Sequence, residues 1–486
     1  MKLVNLMETV LCNLIRPQTA MNKFLLIIIL VLTQLLTWAQ RPFSHGRLKV
    51  ADNQRFLMHE DGTPFFWLGD TAWELFHRLN REEADLYLKH RSQQGFTVVQ
   101  AVVLAELDGL NVPNALGDKP LNGNDPAQPN EAFFKHVDFI ISKAAEYGIV
   151  IALLPTWGDK VKKDTWGKGP EIFNVNNARN YGEWIGKRYK NQENIVWVLG
   201  GDRTPRKDSD DLKIWRLMAE GIENGAGGSK NALMTFHPQP NGLEMGGSSN
   251  WFHNDSWLDF NMLQDGHCRD EITYDKVSFV YNRTPVKPVI DAEPIYEDHP
   301  VCFNAADLGT SSAYDVRKFA YLDLFAGAFG HTYGCHGVWQ MYTKQREPVN
   351  GPHFPWQEAL NLPGARQMTF VKQLLTSRPM LDRIPDQSLV EENDYGPSDR
   401  IQATRGRDYA FIYTSAGRQI TVDAGKISGN EFMATWFDPR NGKTQPIGKF
   451  ANKGLHQFKP PTSGYGRDWV LVLDDSDKGY GFGNIK

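Results

Sequence analysis

From residue 41 onward the chain alternates between two textures: short, almost unbroken apolar runs, and longer stretches in which apolar residues recur every three or four positions. The runs are FFWLG (65–69), TVVQAVVL (97–104), IVIALLP (149–155), IVWVLGG (195–201), ALMTFHP (232–238), FNMLQ (260–264) and PVIDAE (288–293), with an eighth inside FGHTYGCHGVWQ (329–340). Between them REEADLYLKHRSQQG (81–95), EAFFKHVDFIISKAAEYG (131–148) and NARNYGEWIGKRYK (177–190) have helical periodicity. Strands that are apolar throughout are those covered on both faces, so eight of them alternating with helices predict an α/β fold, a (β/α)8 barrel. The rival, a doubly wound open sheet, is disfavoured. No GxGxxG or P-loop follows a first strand, and polar residues gather at the C-terminal ends of many strands. Ahead of the barrel, residues 47–66 predict a hairpin of RLKV and FLMH around Ala51-Asp52-Asn53, with a second turn at Asp61-Gly62.

Beyond Pro379 the pattern changes to short alternating segments, RIQATR (400–405), DYAFIYT (408–414), QITVD (419–423), EFMATWFDP (431–439) and DWVLVLD (468–474), separated by turn residues such as Asn441-Gly442. This is an all-β unit, expected to be a sandwich packed on the barrel. The expected organisation is a leader and signal segment over 1–40, the barrel over 41–380 and the β-sandwich over 381–486.

Composition narrows the partners. Of 486 residues, 41% are hydrophobic and 23% charged, which is the balance of a soluble globular protein able to build a large core. With 53 Lys plus Arg against 57 Asp plus Glu the net charge is only -4, and no basic stripe tracks a phosphate backbone, so nucleic acid is not an expected partner. From Met21 the chain runs Met-Asn-Lys, then an apolar run from Phe24 to Leu32, then Thr37-Trp38-Ala39. That is the basic start, apolar middle and small-residue end of a secretory signal, with cleavage expected near Ala39 or Gln40 and no stable membrane span afterwards. Export to the periplasm or the extracellular space follows, and Met21 is an alternative start. Cys12 precedes the signal; Cys268, Cys302 and Cys335 leave an odd number, allowing one disulfide and requiring none.

The chemistry concentrates where apolar runs end in acids. VIDAEP (289–294) starts like a buried strand and presents Asp291 and Glu293 before Pro294 stops the ladder. Alternation puts both acids on the face of Val289, expected to be the barrel interior, with Glu293 nearer the mouth and Asp291 supporting an Arg or His from below. At the end of the fourth run, NIVWVLGGDR presents Asp202 after two glycines. Paired carboxyls from separate strands are what glycosidic bond cleavage needs: one protonates the leaving oxygen while the other attacks the anomeric carbon or activates water. Either acid alone could equally cap a helix or complete an ion pair. Together, among tryptophans, they favour catalysis.

The combination FFWLGDTAW (65–73), IVWVLGGDR (195–203), VIDAEP (289–294) and GHTYG (330–334), followed by a β-rich tail, resembles the apiosidase-like glycoside hydrolases, family 140, over residues 41–486. The resemblance implies a (β/α)8 barrel with a C-terminal β-sandwich labelled a collagen-binding domain. It also implies an Asp and a Glu as the catalytic pair, matching Asp202 and Glu293, and removal of apiose from rhamnogalacturonan II in bacteria that degrade plant glycans. The chain departs from the wider class of barrel glycosidases, which carry Asn-Glu at the end of the fourth strand where this one has Gly201-Asp202. The roles within the pair are therefore less fixed than the pair itself; retention is favoured over inversion.

The same strand-end rule nominates further substrate-binding residues: Asp70 and Trp73 after the first strand, Glu106 after the second, Trp157 and Asp159 after the third, His237 after the fifth, and Asp265 with His267 after the sixth. His331, Tyr333 and Trp339 complete the set around the eighth, with His331 and Tyr333 on a common face. Such a mixture of aromatic and polar groups suits an oligosaccharide or polysaccharide. Trp73 and Trp157 could instead be wall packing, and Asp70 a helix cap. His331, Cys335 and His336 supply no firm metal-ligand set, and no cofactor or metal is expected. Two other functions fit the same sequence: a secreted glycan- or matrix-binding protein without turnover, and an endo-acting hydrolase of another polysaccharide.

Overall fold

The computed structural model describes residues 43–164, 166–240, 245–391 and 395–482; the expected leader and signal segment lies outside the described residues. Eight parallel strands form the barrel: Leu68–Thr71, Val98–Leu104, Val150–Thr156, Ile195–Gly200, Met234–His237, Asn261–Gln264, Val289–Glu293 and His331–Tyr333. The eighth pairs with the first, the ladder runs on to the fifth, and the sixth pairs separately with the seventh. Contacts at the strand entrances close both seams. The amide of Asp259 donates to Met234 O at 2.9 Å and the Thr235 hydroxyl to Phe260 O at 2.6 Å on one side, and the Phe329 amide to Val289 O at 3.0 Å on the other.

The predicted hairpin forms, with Leu48–Val50 antiparallel to Leu57–His59. The first apolar run, however, serves two sheets. Pro64–Phe65 adds a third strand to the hairpin, and the barrel strand starts only at Leu68. The helix Arg81–Gln93 begins at a capping box, where Asn80 Oδ1 accepts from the Glu83 amide at 2.9 Å and the Glu83 carboxylate accepts from the Asn80 amide at 3.0 Å.

Alternation along the strands separates two apolar layers. Val99, Ala101 and Val103, Ile151 and Leu153, and Trp197 and Leu199 face outward and share one core with the helices. Gln100 lies on the opposite face of its strand and reaches across the barrel to donate to Ala292 O at 2.9 Å. Trp67, Phe260 and Phe329 meet edge-to-face at centroid distances of 5.4 to 6.1 Å and fill the N-terminal end. Each such buried ring contributes roughly 1.5–3 kcal/mol.

The seventh strand corrects the sequence expectation. Val289 belongs to the outer core with the helices, so its face is not the interior. Asp291 accordingly sits in a buried acid cluster with Asp265 and with Asp323 of the outer helix Ala313–Ala326, in place of the expected Arg or His. A register shift between Asp291 and Glu293 then breaks the alternation, because Asp291 pairs with Leu263 and Glu293 with Gln264. The irregularity turns Glu293 towards the mouth.

The C-terminal unit is two antiparallel sheets. The larger runs in the order Ile384–Pro385, Ile401–Arg405, Tyr409–Thr414, Trp469–Asp475, Glu431–Phe437, Thr444–Ala451, and the smaller pairs Ile420–Ala424 with Gly454–Phe458. Helix Ala313–Ala326 is buried almost throughout its length between this unit and the barrel, and its charged residues are buried with it. Tyr321 stacks on Tyr413 at 5.0 Å, Phe325 on Phe411 at 6.1 Å, and Arg317 grips Asp468 with two bonds of 2.6 and 2.8 Å. Among the described residues no helix is long and apolar enough to cross a membrane.

Candidate active site

The fourth strand delivers Asp202 through two glycines. Gly200 and Gly201 have φ of 87° and 110°, in the left-handed region that favours glycine. A Cβ on Gly200 would lie 2.3 Å from His237 O, and one on Gly201 2.8 Å from the Trp157 ring, so no larger residue fits this path. The backbone is pinned there by Gly201 N donating to His237 O at 3.0 Å and Gly158 N donating to Gly201 O at 3.1 Å. Asp202 itself has φ of 57°, a conformation that Asp tolerates better than most residues. Its Oδ2 accepts from the Trp166 indole N–H at 2.9 Å, while Oδ1 is buried without an aligned hydrogen bond and the Gln264 side chain lies within reach of the carboxyl.

Glu293 enters the same cavity from the seventh strand. His237 Nε2 stands 3.2 Å from Oε2 and His267 Nε2 3.6 Å from Oε1. Both imidazoles thus aim a ring nitrogen at the carboxylate. The two acids are thereby driven apart electrostatically. Burial alone would raise the Glu293 pKa, but hydrogen bonding and then charge from His237 and His267 outweigh it and hold it down to about 2. Burial and then the nearby Glu293 charge push Asp202 upward, and His237 and Arg203 only partly offset that. One carboxyl is a persistent anion; the other holds its proton more readily. That division is the signature of an acid and its anionic partner.

The cavity measures about 510 Å³ and is lined by residues that follow all eight strands. Trp73, Glu106, Trp157, His267 and Trp339 from the sequence-based set line it. Trp157 Nε1 is buried without a partner and so is available to a ligand. Glu106 is a third acid on the wall, raised well above the carboxylate range by burial and then by the charges of Asp202, Asp159 and Glu74. His237 lies just beneath, edge-on to Trp73 at 5.2 Å, and meets Glu293 rather than the cavity. Asp159 is tied up with Lys160 at 2.7 Å and with the Gly169 amide at 2.8 Å.

Four nominated residues are elsewhere. Asp70 is buried against the helical layer, bound to Arg91 at 2.6 Å and to the Tyr87 hydroxyl at 2.5 Å. Asp265 pairs with Lys276 at 3.0 Å. Tyr333 donates to Glu297 at 2.6 Å within the outer core, and alternation puts His331 on that same outer face, where burial lowers its pKa to about 3. All four sit one residue away from an inward position. The cavity also contains residues that the sequence rule missed. Gln264, directly before Asp265, is one; Trp166, Tyr296, His299, Phe303 and Asn350 come from loops.

Cys268 and Cys302 form a disulfide, and Cys335 is a buried thiol. The bridge ties the loop of His267 to that of Phe303, beside the bond from Cys302 N to His267 O at 2.9 Å. His267 packs against His299 with tilted rings at 4.0 Å, and His299 meets His336 edge-on at 4.4 Å, so that wall is a chain of aromatic contacts.

A solved structure described as a glycoside hydrolase is 37% identical to this chain, with a TM-score of 0.82, covering 90% of this chain and 99% of its own. A glycoside hydrolase family 5 structure from Bacteroides vulgatus is 34% identical, also at 0.82, covering 91% and 96%. The barrel, its acid-lined mouth and these relatives define a glycoside hydrolase, whose substrate is a carbohydrate. Residues 51–382 match the model of the apiosidase-like catalytic domain, and the chain belongs to that family. Residues 384–474 match a collagen-binding domain of a collagenase. Mannan endo-1,4-beta-mannosidase 3 of Solanum lycopersicum is 27% identical over 172 residues, 33% of this chain and 40% of that relative, so the match spans less than half the relative's length.

Proposed function

We propose that this glycoside hydrolase is exported, acts on chain ends, and removes apiose from rhamnogalacturonan II with retention of configuration, using Asp202 as acid and base and Glu293 as nucleophile. The observation that carries the assignment is the opposed electrostatics of the two carboxyls in one cavity. Asp202 transfers its proton to the glycosidic oxygen as the anomeric C–O pair leaves with that oxygen. The Glu293 carboxylate forms a bond to the anomeric carbon. Water, losing a proton to Asp202, then displaces Glu293. A carboxylate held at about 2 is a weak base for taking a proton from water, which favours direct attack over inversion.

A wall supplied by all eight strand ends suits a terminal sugar better than the middle of a polymer. Apiose is supported by the family and pectin degradation by its implied substrate. Export is supported by the signal-like residues 21–40 and by the disulfide, which persists in oxidising compartments such as the periplasm. The decisive experiment incubates the protein with rhamnogalacturonan II oligosaccharides and identifies the released monosaccharide and its first-formed anomer. Apiose released as the retained anomer is expected, with Asp202→Asn and Glu293→Gln each losing on the order of 10³-fold or more. A different sugar overturns the substrate assignment, the inverted anomer overturns the nucleophile, and an active double variant overturns the pair.

A further inference from the structure

We propose that Trp166 is a positioning residue that fixes which oxygen of Asp202 carries the catalytic proton. The inference rests on Asp202 being the acid. An indole N–H can only donate, so Asp202 Oδ2, at 2.9 Å from Trp166 Nε1, must present a lone pair to it. The proton of the neutral acid therefore rests on Oδ1, the oxygen that makes no aligned hydrogen bond, with the Gln264 side chain beside the carboxyl. That oxygen delivers it: the Oδ1–H bond breaks, the glycosidic oxygen gains the proton, and Oδ1 keeps the pair.

The loop is built to hold this geometry. Arg203, the residue after the acid, donates to Trp166 O at 2.6 Å, to Lys162 O at 3.1 Å and to Asp202 O at 2.6 Å, with its guanidinium 4.9 Å from the centre of the Trp166 ring. The acid and its orienting indole are thus clamped by one side chain. Gly167 lets the loop come this close, since a Cβ there would lie 2.5 Å from the same guanidinium. Trp166 is 40% exposed at the cavity rim, so no core packing accounts for its placement.

The test is Trp166→Phe, which keeps an aromatic ring under Arg203 and removes the N–H donor with the five-membered half of the indole. Asp202 faces Glu293, His237, Arg203 and Glu106, all unchanged in this variant. Because the lost bond favoured the charged carboxylate, the Asp202 midpoint should move up by about one pH unit. This is read without substrate by carbon-13 NMR of aspartate-labelled protein, with Asp202→Asn identifying the resonance. The basic limb of the kcat/KM profile should move with it. Turnover of rhamnogalacturonan II oligosaccharide, whose leaving group needs protonation, should fall about tenfold, while 4-nitrophenyl apioside, whose leaving group does not, is little affected. Circular dichroism checks that the fold is kept. An unmoved midpoint, or equal losses on both substrates, overturns the proposal. If Asp202→Asn itself turns over normally, the acid assignment has failed; if it is inactive while Trp166→Phe leaves the midpoint in place, only the present inference has.

Discussion

Replacing His237 by Phe tests the electrostatic core of the site. The pKa of Glu293 lies at about 2 against 4.5 for an unperturbed Glu, a difference worth roughly 3 kcal/mol in favour of the anion. Burial acts in the opposite sense, so His237 and His267 together contribute more than that figure. The Phe ring keeps the edge-on contact with Trp73 and removes the imidazole from Glu293. Removing one of two imidazoles should raise Glu293 by one to two pH units, and removing both, in His237→Phe with His267→Phe, should take away the largest lowering influences and raise it further, against the Tyr296 hydroxyl that stays beside it. Glu293 must be ionised to act, so activity rises with pH through its pKa, and a raised pKa moves the acid limb upward. The kcat/KM profile of the wild type should be flat down to about pH 4, that of the single variant should fall below about pH 4, and that of the double variant should begin to fall at a higher pH still. The linked stability has the same sign. A depressed carboxyl stabilises the fold above its unfolded pKa and loses that contribution as pH falls towards about 2, so the melting-temperature gap between wild type and variants should narrow from pH 7 to pH 3. Acid limbs that coincide in all three proteins would refute the account.

Asp70→Asn should leave the buried Arg91 unpaired and cost about 3–5 kcal/mol in urea unfolding, with unchanged kcat and KM in the folded fraction; a raised KM at unchanged stability would return Asp70 to the substrate. Asp291→Asn should raise the melting temperature at pH 8 and not near pH 4. Burial and then the charges of Asp265 and Asp323 push this carboxyl well above its unfolded value, so its ionisation weakens the fold as pH rises, and a less stable variant at pH 8 would contradict that. Cys302→Ser should lower stability by roughly 3–4 kcal/mol, as expected for a bridge spanning 34 residues, and raise KM; dithiothreitol should lower the wild-type melting temperature and leave the variant's unchanged.

The barrel was legible because strands covered on both faces are apolar at every position, which is a strong and length-limited signal. The same property erased the signal that matters at the mouth. When every strand residue is apolar, nothing in the run tells the inner row from the outer, and a strand-end residue can be assigned to the cavity only by guessing the parity. Asp70, Asp265, His331 and Tyr333 all stand one residue out of phase with the inward row. Gln264 and Thr332 occupy the inward positions beside Asp265 and beside His331 and Tyr333. A chemically conspicuous Asp or His attracted the assignment where a Gln or Thr held the place. In the C-terminal unit the reverse failure occurred. Thr444–Ala451 and Gly454–Phe458 are strands with mostly exposed side chains, so they lack the apolar alternation by which the other strands were found.

Glu293 reaches the cavity against the alternation of its own strand. Strict alternation from Val289 would carry it to the helical layer with Asp291, and only the register shift before it turns it inward. Asp202 likewise depends on two left-handed glycines that take the chain out of strand geometry altogether. Both acids of the site therefore sit just past a break in regular structure. Such breaks let a barrel whose outward row belongs to the core present a charged group to its mouth. A strand that kept perfect alternation to its last residue would bury that acid, as it buries Asp291, among other acids that hold it neutral. An irregularity at the C-terminal end of an apolar run is thus a better guide to chemistry in this barrel than the acid itself, and the Gly-Gly before Asp202 is the one such break written openly in the sequence.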